Sequence, residues 1–165
     1  MEPVPVSAAR TTLSQIMTSL DVNLLGTVHG GVVMRLVDSV AGASAGRHSH
    51  GPAVTVSMDE MVFLQPVRVG DLIHAHAQVN WAGRTSMEVG VRVTAERWNE
   101  TDPAIHVASA YLVFVAVDDE GRPRGVPAVL PESDDDRRRF AEAQIRRQHR
   151  LARRDEIERL RSGER

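Results

Sequence analysis

The sequence predicts an α+β domain in which a curved antiparallel sheet of about five strands wraps one central helix, with a further helix on the surface at the C-terminus. Three observations carry that expectation. A single stretch of helical periodicity near residue 30 is apolar on nearly every side. Four long β-rich runs follow it with no second helix of that kind between them. The links between those runs are short and turn-prone, which favours antiparallel neighbours over helical crossovers.

Taken in order, residues 10–18 are rich in Thr, Leu, Ile and Met and read as a first strand, closed by the polar turn Leu20-Asp21-Val22-Asn23. From Gly30 onward Val33, Leu36, Val37, Val40 and Ala41 recur at helical spacing, and Gly46 with Arg47 and His48 supplies the expected stop. The opposite face carries Val32, Ala43 and Ala45 where solvent would favour charge, so this helix is expected to be enclosed on nearly all sides. The strands that would enclose it are residues 53–61, 71–81, 85–98 and 105–117, which show frequent period-two alternation. Gln65-Pro66, Val69-Gly70-Asp71 and Ala82-Gly83-Arg84 lie in their connections. A curved antiparallel sheet around one buried helix is the hot-dog fold.

That domain is expected to cover residues 1–131. Composition shifts after Leu130-Pro131, and residues 132–165 form an Arg-rich segment. Ser133 to Asp136 suit a helix N-terminus, with a capping hydroxyl and acids where the dipole favours them. Phe140, Ile145, Leu151, Ile157 and Leu160 supply only a thin apolar stripe. A surface helix docked by its first turns and frayed beyond Arg154 is expected; a solvated charged tail is the alternative.

Composition narrows the function. A net charge of -2 gives no global attraction to nucleic acid or anionic membrane, so neither is expected as a partner. The chain has no cysteine, which removes disulfides, thiol nucleophiles and thiolate metal sites and fits a reducing compartment. No basic start followed by an apolar run opens the sequence, and no run of about 18 apolar residues occurs. The expected location is the cytoplasm. No cofactor is implied, and no metal site: His74 and His76 share a strand face without a supporting third ligand.

The informative segment runs from Asn23 to Asp38. Gly30 and Gly31 leave backbone N–H groups uncovered at the helix start, where they attract an anion or a polarised carbonyl oxygen; as a lone pair they serve as often to allow a tight turn. Asp38 lies two turns into an apolar helix, beside core-facing Val37 and Ala41. An acid there is either paired with arginine or kept for acid/base work. Asn23 taken alone reads as a turn residue. Seven residues of helix separate Gly31 from Asp38, about 10 Å along the axis, too far for both to touch one reacting carbon in the same subunit. Two copies with antiparallel helices across a two-fold axis would bring Asn23 and Gly31 of one beside Asp38 of the other. A homodimer with composite sites is therefore expected.

The run Asn23-x-x-Gly26-x-x-His29-Gly30-Gly31, the Met34-x-x-x-Asp38 helix, Thr55-x-x-x-Asp59, Phe63-x-x-Pro66, Val69-Gly70-Asp71, Gly83-Arg84-Thr85-Ser86-Met87 and Phe114-Val115-Ala116 together resemble the acyl-CoA hydrolase family of hot-dog thioesterases, over roughly residues 13–131. The resemblance implies hydrolysis of fatty acyl-CoA, with Asp38 as general base or nucleophile, Asn23 supplied by the partner subunit, and Gly30 and Gly31 polarising the thioester carbonyl. It implies that Arg84, Thr85 and Ser86 lie against the CoA moiety, and that dimers assemble further into a trimer of dimers. A serine hydrolase is not expected: Gly42-Ala43-Ser44-Ala45-Gly46 has the Gly-x-Ser-x-Gly spacing but lies inside the helix expected from Gly30, not at the strand-to-helix turn that a nucleophile elbow needs. His29 beside the helix start resembles the histidine of hot-dog dehydratases, but the surrounding motif fits the hydrolases better. A non-catalytic acyl-CoA sensor would gain little from Asp38.

Overall fold

The computed structural model describes residues 1–163. In chain order the elements are β1 (Val4–Pro5), α1 (Val6–Ala9), β2 (Thr11–Ile16), a 3-10 turn (Ser19–Asp21), α2 (Gly30–Ser49), β3 (Ala53–Phe63), β4 (Asp71–Ala82), β5 (Ser86–Arg97), β6 (Ile105–Ala116), β7 (Val129–Leu130) and α3 (Asp134–Ser162). β2, β4, β5, β6 and β3 form, in that order, one antiparallel sheet, and β1 pairs with β7 in a small parallel ribbon. The sheet folds around α2, so the hot-dog architecture is present.

Alternation explains which way each strand faces. Ile73, Ala75, Ala77 and Val79 of β4, Met87, Val89, Val91 and Val93 of β5, and Ala108, Ala110, Leu112 and Phe114 of β6 are buried in one cluster with Val33, Leu36, Val37, Val40, Ala41 and Ala45 of α2. The many alanines let the helix sit deep in the concave face. β3 departs from simple alternation. Val56 and Asp59 are extra residues at two bulges, so Thr55, Met58 and Met61, opposite inward-facing Phe114, Leu112 and Ala110, form its inner set.

Two expectations about α2 need correction. The helix does not stop at Gly46 but runs through Ser49 and ends at His50 in the left-handed region (φ 55°). Arg124 makes this extension possible: its guanidinium donates to the carbonyl oxygens of Ser49 at 2.7 Å and Val117 at 2.9 Å, placing a cation at the helix C-terminus. Nor is α2 enclosed on all sides, because Gly31, Met34, Arg35, Asp38, Ser39 and Ala43 face outward and Met34 is 42% exposed. The sheet covers one face only.

His48, expected to help stop the helix, is instead fully buried in the last turn of α2. Its Nε2 lies 3.0 Å from the Pro127 carbonyl oxygen, while Nδ1 is buried without a partner among the described residues. Burial, aided by nearby His50 and opposed by the Pro127 contact, pushes its pKa below the ordinary histidine value. A base whose folded-state pKa is depressed contributes stability that is full above the unfolded value near 6.5 and is lost as pH falls through the folded value. Thermal melts of wild type and His48→Gln, which keeps a donor toward Pro127, test this. The wild type should lose melting temperature faster than the variant below about pH 6.5.

α3 is continuous to Ser162 rather than frayed beyond Arg154, and it lies across the outer face of the sheet. A capping box between Ser133 and Asp136 starts it. Docking depends less on the apolar stripe than on charge: Asp136 meets Arg10 at 2.8 Å, Arg146 meets Glu88 of β5 at 2.7 Å, and Arg150 pairs with Asp59 of β3. Arg146 also stacks 3.7 Å above the Tyr111 ring of β6. Among the described residues, no helix is long and apolar enough to cross a membrane.

Candidate active site

The loop leading into α2 is organised by Asn23. Its Oδ1 accepts from the N–H groups of Leu25 at 2.8 Å and Thr27 at 3.3 Å, and its Nδ2 donates to Thr27 Oγ1 at 2.9 Å. Asn23 is thus a turn residue with one amide hydrogen still to donate. Gly26, with φ of 75°, lets the chain reverse, and a bridge between Val22 and Val28 closes the loop.

His29 is the N-cap of α2 and its Nδ1 accepts from Gly31 N–H at 2.9 Å. The ring therefore carries its proton on Nε2, and it occupies one of the two donors that the glycine pair presents. Gly30 N–H has no partner among the described residues. A Cβ at Gly30 would lie 3.4 Å from the Phe63 ring, so glycine permits close approach of β3 there. An apolar groove at this helix start is lined by Val28, Gly30, Val33, Phe63, Leu64 and Pro66.

Asp38 is exposed, on the outward stripe of α2 with Gly31, Met34 and Arg35, and not against the core as its neighbours in sequence suggested. One residue advances a helix by about 100°, which turns Asp38 away while Val37 and Ala41 face in. Thr55 Oγ1 donates to Asp38 Oδ1 at 2.7 Å, leaving Oδ2 free of partners among the described residues. Thr55 was singled out in the Thr55-x-x-x-Asp59 motif but was not assigned to the site.

Within one subunit the glycine turn and Asp38 stay apart. Gly30 adjoins Phe63 at the end of β3, whereas Asp38 meets Thr55 near its beginning. Arg84, Thr85 and Ser86 lie in the β4–β5 turn, at the sheet end where β3 begins: Ser86 pairs with Val115, whose other neighbour across the sheet is Val54. Their carbonyl oxygens hold the turn, Arg84 accepting from Val126 N–H, Thr85 from Ala116 N–H and Ser86 from Gly83 N–H. The Arg84 side chain is exposed, without an ion-pair partner among the described residues.

The fold and this helix-borne acid define a hot-dog thioesterase-type domain, and comparison with known proteins agrees. The thioesterase superfamily profile matches residues 25–100. The mouse cytosolic acyl coenzyme A thioester hydrolase is 36% identical over 146 residues, 88% of this chain and 38% of the relative. This chain thus spans about two fifths of the length of the mouse, rat and human cytosolic hydrolases it matches. The acyl-CoA hydrolase of Staphylococcus aureus, solved with butyryl coenzyme A and coenzyme A, is 33% identical with a TM-score of 0.88 over 96% of each chain. A crystal structure of an apo-hexameric acyl-CoA thioesterase is 34% identical, with a TM-score of 0.89 over 93% of this chain and 97% of that one. The chain belongs to the acyl-CoA thioester hydrolase family. Solved variants of the S. aureus enzyme replace by alanine an asparagine, an aspartate and a threonine at the same spacing as Asn23, Asp38 and Thr55.

Proposed function

We propose that this protein hydrolyses fatty acyl-CoA thioesters to free acid and CoA in the cytoplasm, as a homodimer with two composite active sites that assembles further into a trimer of dimers. The observation that carries the reading is Asp38: an exposed carboxylate steadied by Thr55, on the same open helix stripe as a glycine turn about 10 Å away. A two-fold copy with its α2 antiparallel supplies the missing half. The S. aureus relative solved with CoA ligands and the hexameric neighbour support substrate class and assembly.

In this mechanism Asp38 Oδ2 takes a proton from water as the water oxygen attacks the thioester carbonyl carbon. Thr55, bonded to Oδ1, fixes the carboxylate orientation. The carbonyl oxygen, gaining charge, is received by Gly30 N–H and by Gly31 N–H as the substrate replaces the His29 ring. Collapse breaks the C–S bond and releases CoA thiolate, a good leaving group that needs no Ser-His-Asp triad. The free Nδ2 hydrogen of Asn23, from the other subunit, orients the water or the carbonyl. Arg84, with Thr85 and Ser86, faces the phosphates of CoA.

The test is free-thiol release from acyl-CoAs between acetyl and palmitoyl. Release well above background with a preferred chain length is expected. Tight acyl-CoA binding without thiol release by the wild type would overturn the hydrolase in favour of a sensor.

A further inference from the structure

The course of α3 poses a problem that one subunit does not solve. Asp136 lies over β4, where it meets Gln78; Arg146 lies over β5 and β6, and Arg150 over β3. β3 is the edge of the sheet and pairs only with β6. Beyond Arg150 the helix continues for residues 151–162, a length of about 18 Å, with no sheet of its own beneath it. The 14 residues from Asp136 to Arg150 cross the three strand steps from β4 to β3, so on the same course the overhang spans two to three more strands. Every residue from 152 to 162 is exposed, including Ile157 at 40% and Leu160 at 75%. A helix of this kind is polar enough to stand in water, yet apolar side chains lie along one line: Ile145, 54% exposed, with His149 and Arg153 in a groove against Asp59 and Glu60, then Ile157 and Leu160 at spacings of four and three.

We propose that residues 151–162 of α3 are a docking arm for a second copy of this chain, laid antiparallel along that copy's α3 in its groove beside Ile145 and His149. Two features of the chain select this occupant. The open edge of β3 can continue the sheet into a second copy, and the overhang then lies over strands that the copy supplies. The helix is also complementary to itself when reversed. Residues 146–154 carry arginines and a histidine with no acid, while residues 155–158 hold Asp155, Glu156 and Glu158. In the register that sets Ile145 opposite Leu160 of the second copy, His149 meets Glu156 on the same line. The contact is isologous and occurs twice per dimer. It extends the proposed homodimer by a surface remote from the chemistry, so it can fail while that reading stands.

The absence of cysteine makes a direct test available. The double variant Ile145→Cys/Leu160→Cys is treated with copper phenanthroline at low protein concentration and run on non-reducing gels. The two positions are about 22 Å apart along one rigid helix and cannot bridge within a chain. A covalent dimer from the double variant and from a mixture of the two single variants, but from neither single variant alone, is the expected result. No covalent dimer, or equal cross-linking by the single variants, overturns the proposal. Sedimentation of Ile157→Asp/Leu160→Asp gives a second reading: weakened association is expected, and unchanged association overturns the proposal. Neither measurement uses turnover, so a wild type that releases no thiol would sink the hydrolase without deciding the arm.

Discussion

Replacing Asp38 by asparagine is expected to lower kcat by roughly two to four orders of magnitude. The substitution is nearly isosteric and the side chain is exposed, so melting temperature and acyl-CoA binding should hardly change. Asparagine keeps an oxygen for the Thr55 hydroxyl but offers water an amide in place of a base. Near-normal turnover would remove Asp38 from the mechanism. The subunit arrangement is read in the same experiment. Asn23→Ala loses the side chain that closes its own loop as well as any role toward substrate, so its slow turnover alone is ambiguous. Mixed with inactive Asp38→Ala, it should recover part of the activity through hybrid dimers, since one composite site in each would retain both residues. No recovery, with subunit exchange shown, would contradict a composite site.

Replacing Arg146 by methionine is expected to cost about 3–5 kcal/mol, the typical consequence of breaking a buried ion pair from one side. Glu88 is 1% exposed and would keep only the Asn80 amide, 3.2 Å from its Oε1. The Arg146 side chain is itself only 19% exposed, so solvent screens the pair weakly. The double variant Arg146→Met/Glu88→Leu should recover much of the loss, because the stranded charge is gone. Urea unfolding of wild type, single and double variants measures both differences. A single variant within 1 kcal/mol of wild type would show that the sheet's outer face hydrates freely beneath α3.

Much of this molecule was legible because repeating side-chain patterns report which face is buried. The period-two runs located β4, β5 and β6 to within two residues at each end, and the helical spacing after Gly30 located α2. Long-range partners left no such trace. The end of α2 depends on Arg124, 75 residues from Ser49, so Gly46 looked like a stop. Asp38 was expected near the core because adjacent residues are apolar, and the 100° step that turns it outward is resolved only when the whole stripe is laid out. The role of Thr55, visible only as a motif residue, was hidden for the same reason: its hydrogen bond to Asp38 spans 17 residues and belongs to no local pattern. The ribbon of β1 and β7 was missed because two-residue strands have no period to detect. α3 showed the opposite difficulty. Its arginines look like a solvated surface until Glu88 and Asp59 are seen beneath them.

The two bulges of β3 differ in what the chain could lose there. Loss of Val56 would leave Ser57, Met58 and Met61 opposite the same β6 residues and on the same faces, straightening the strand while Asp59 still meets Arg150. Loss of Asp59 would also keep Met61 opposite Ala110, but it would remove the acid that meets Arg150 of α3. The second bulge is thus tied to the helix on the far side of the sheet. Its extra residue and the charge of the C-terminal segment are coupled, although nearly a hundred residues of sequence separate Asp59 from Arg150.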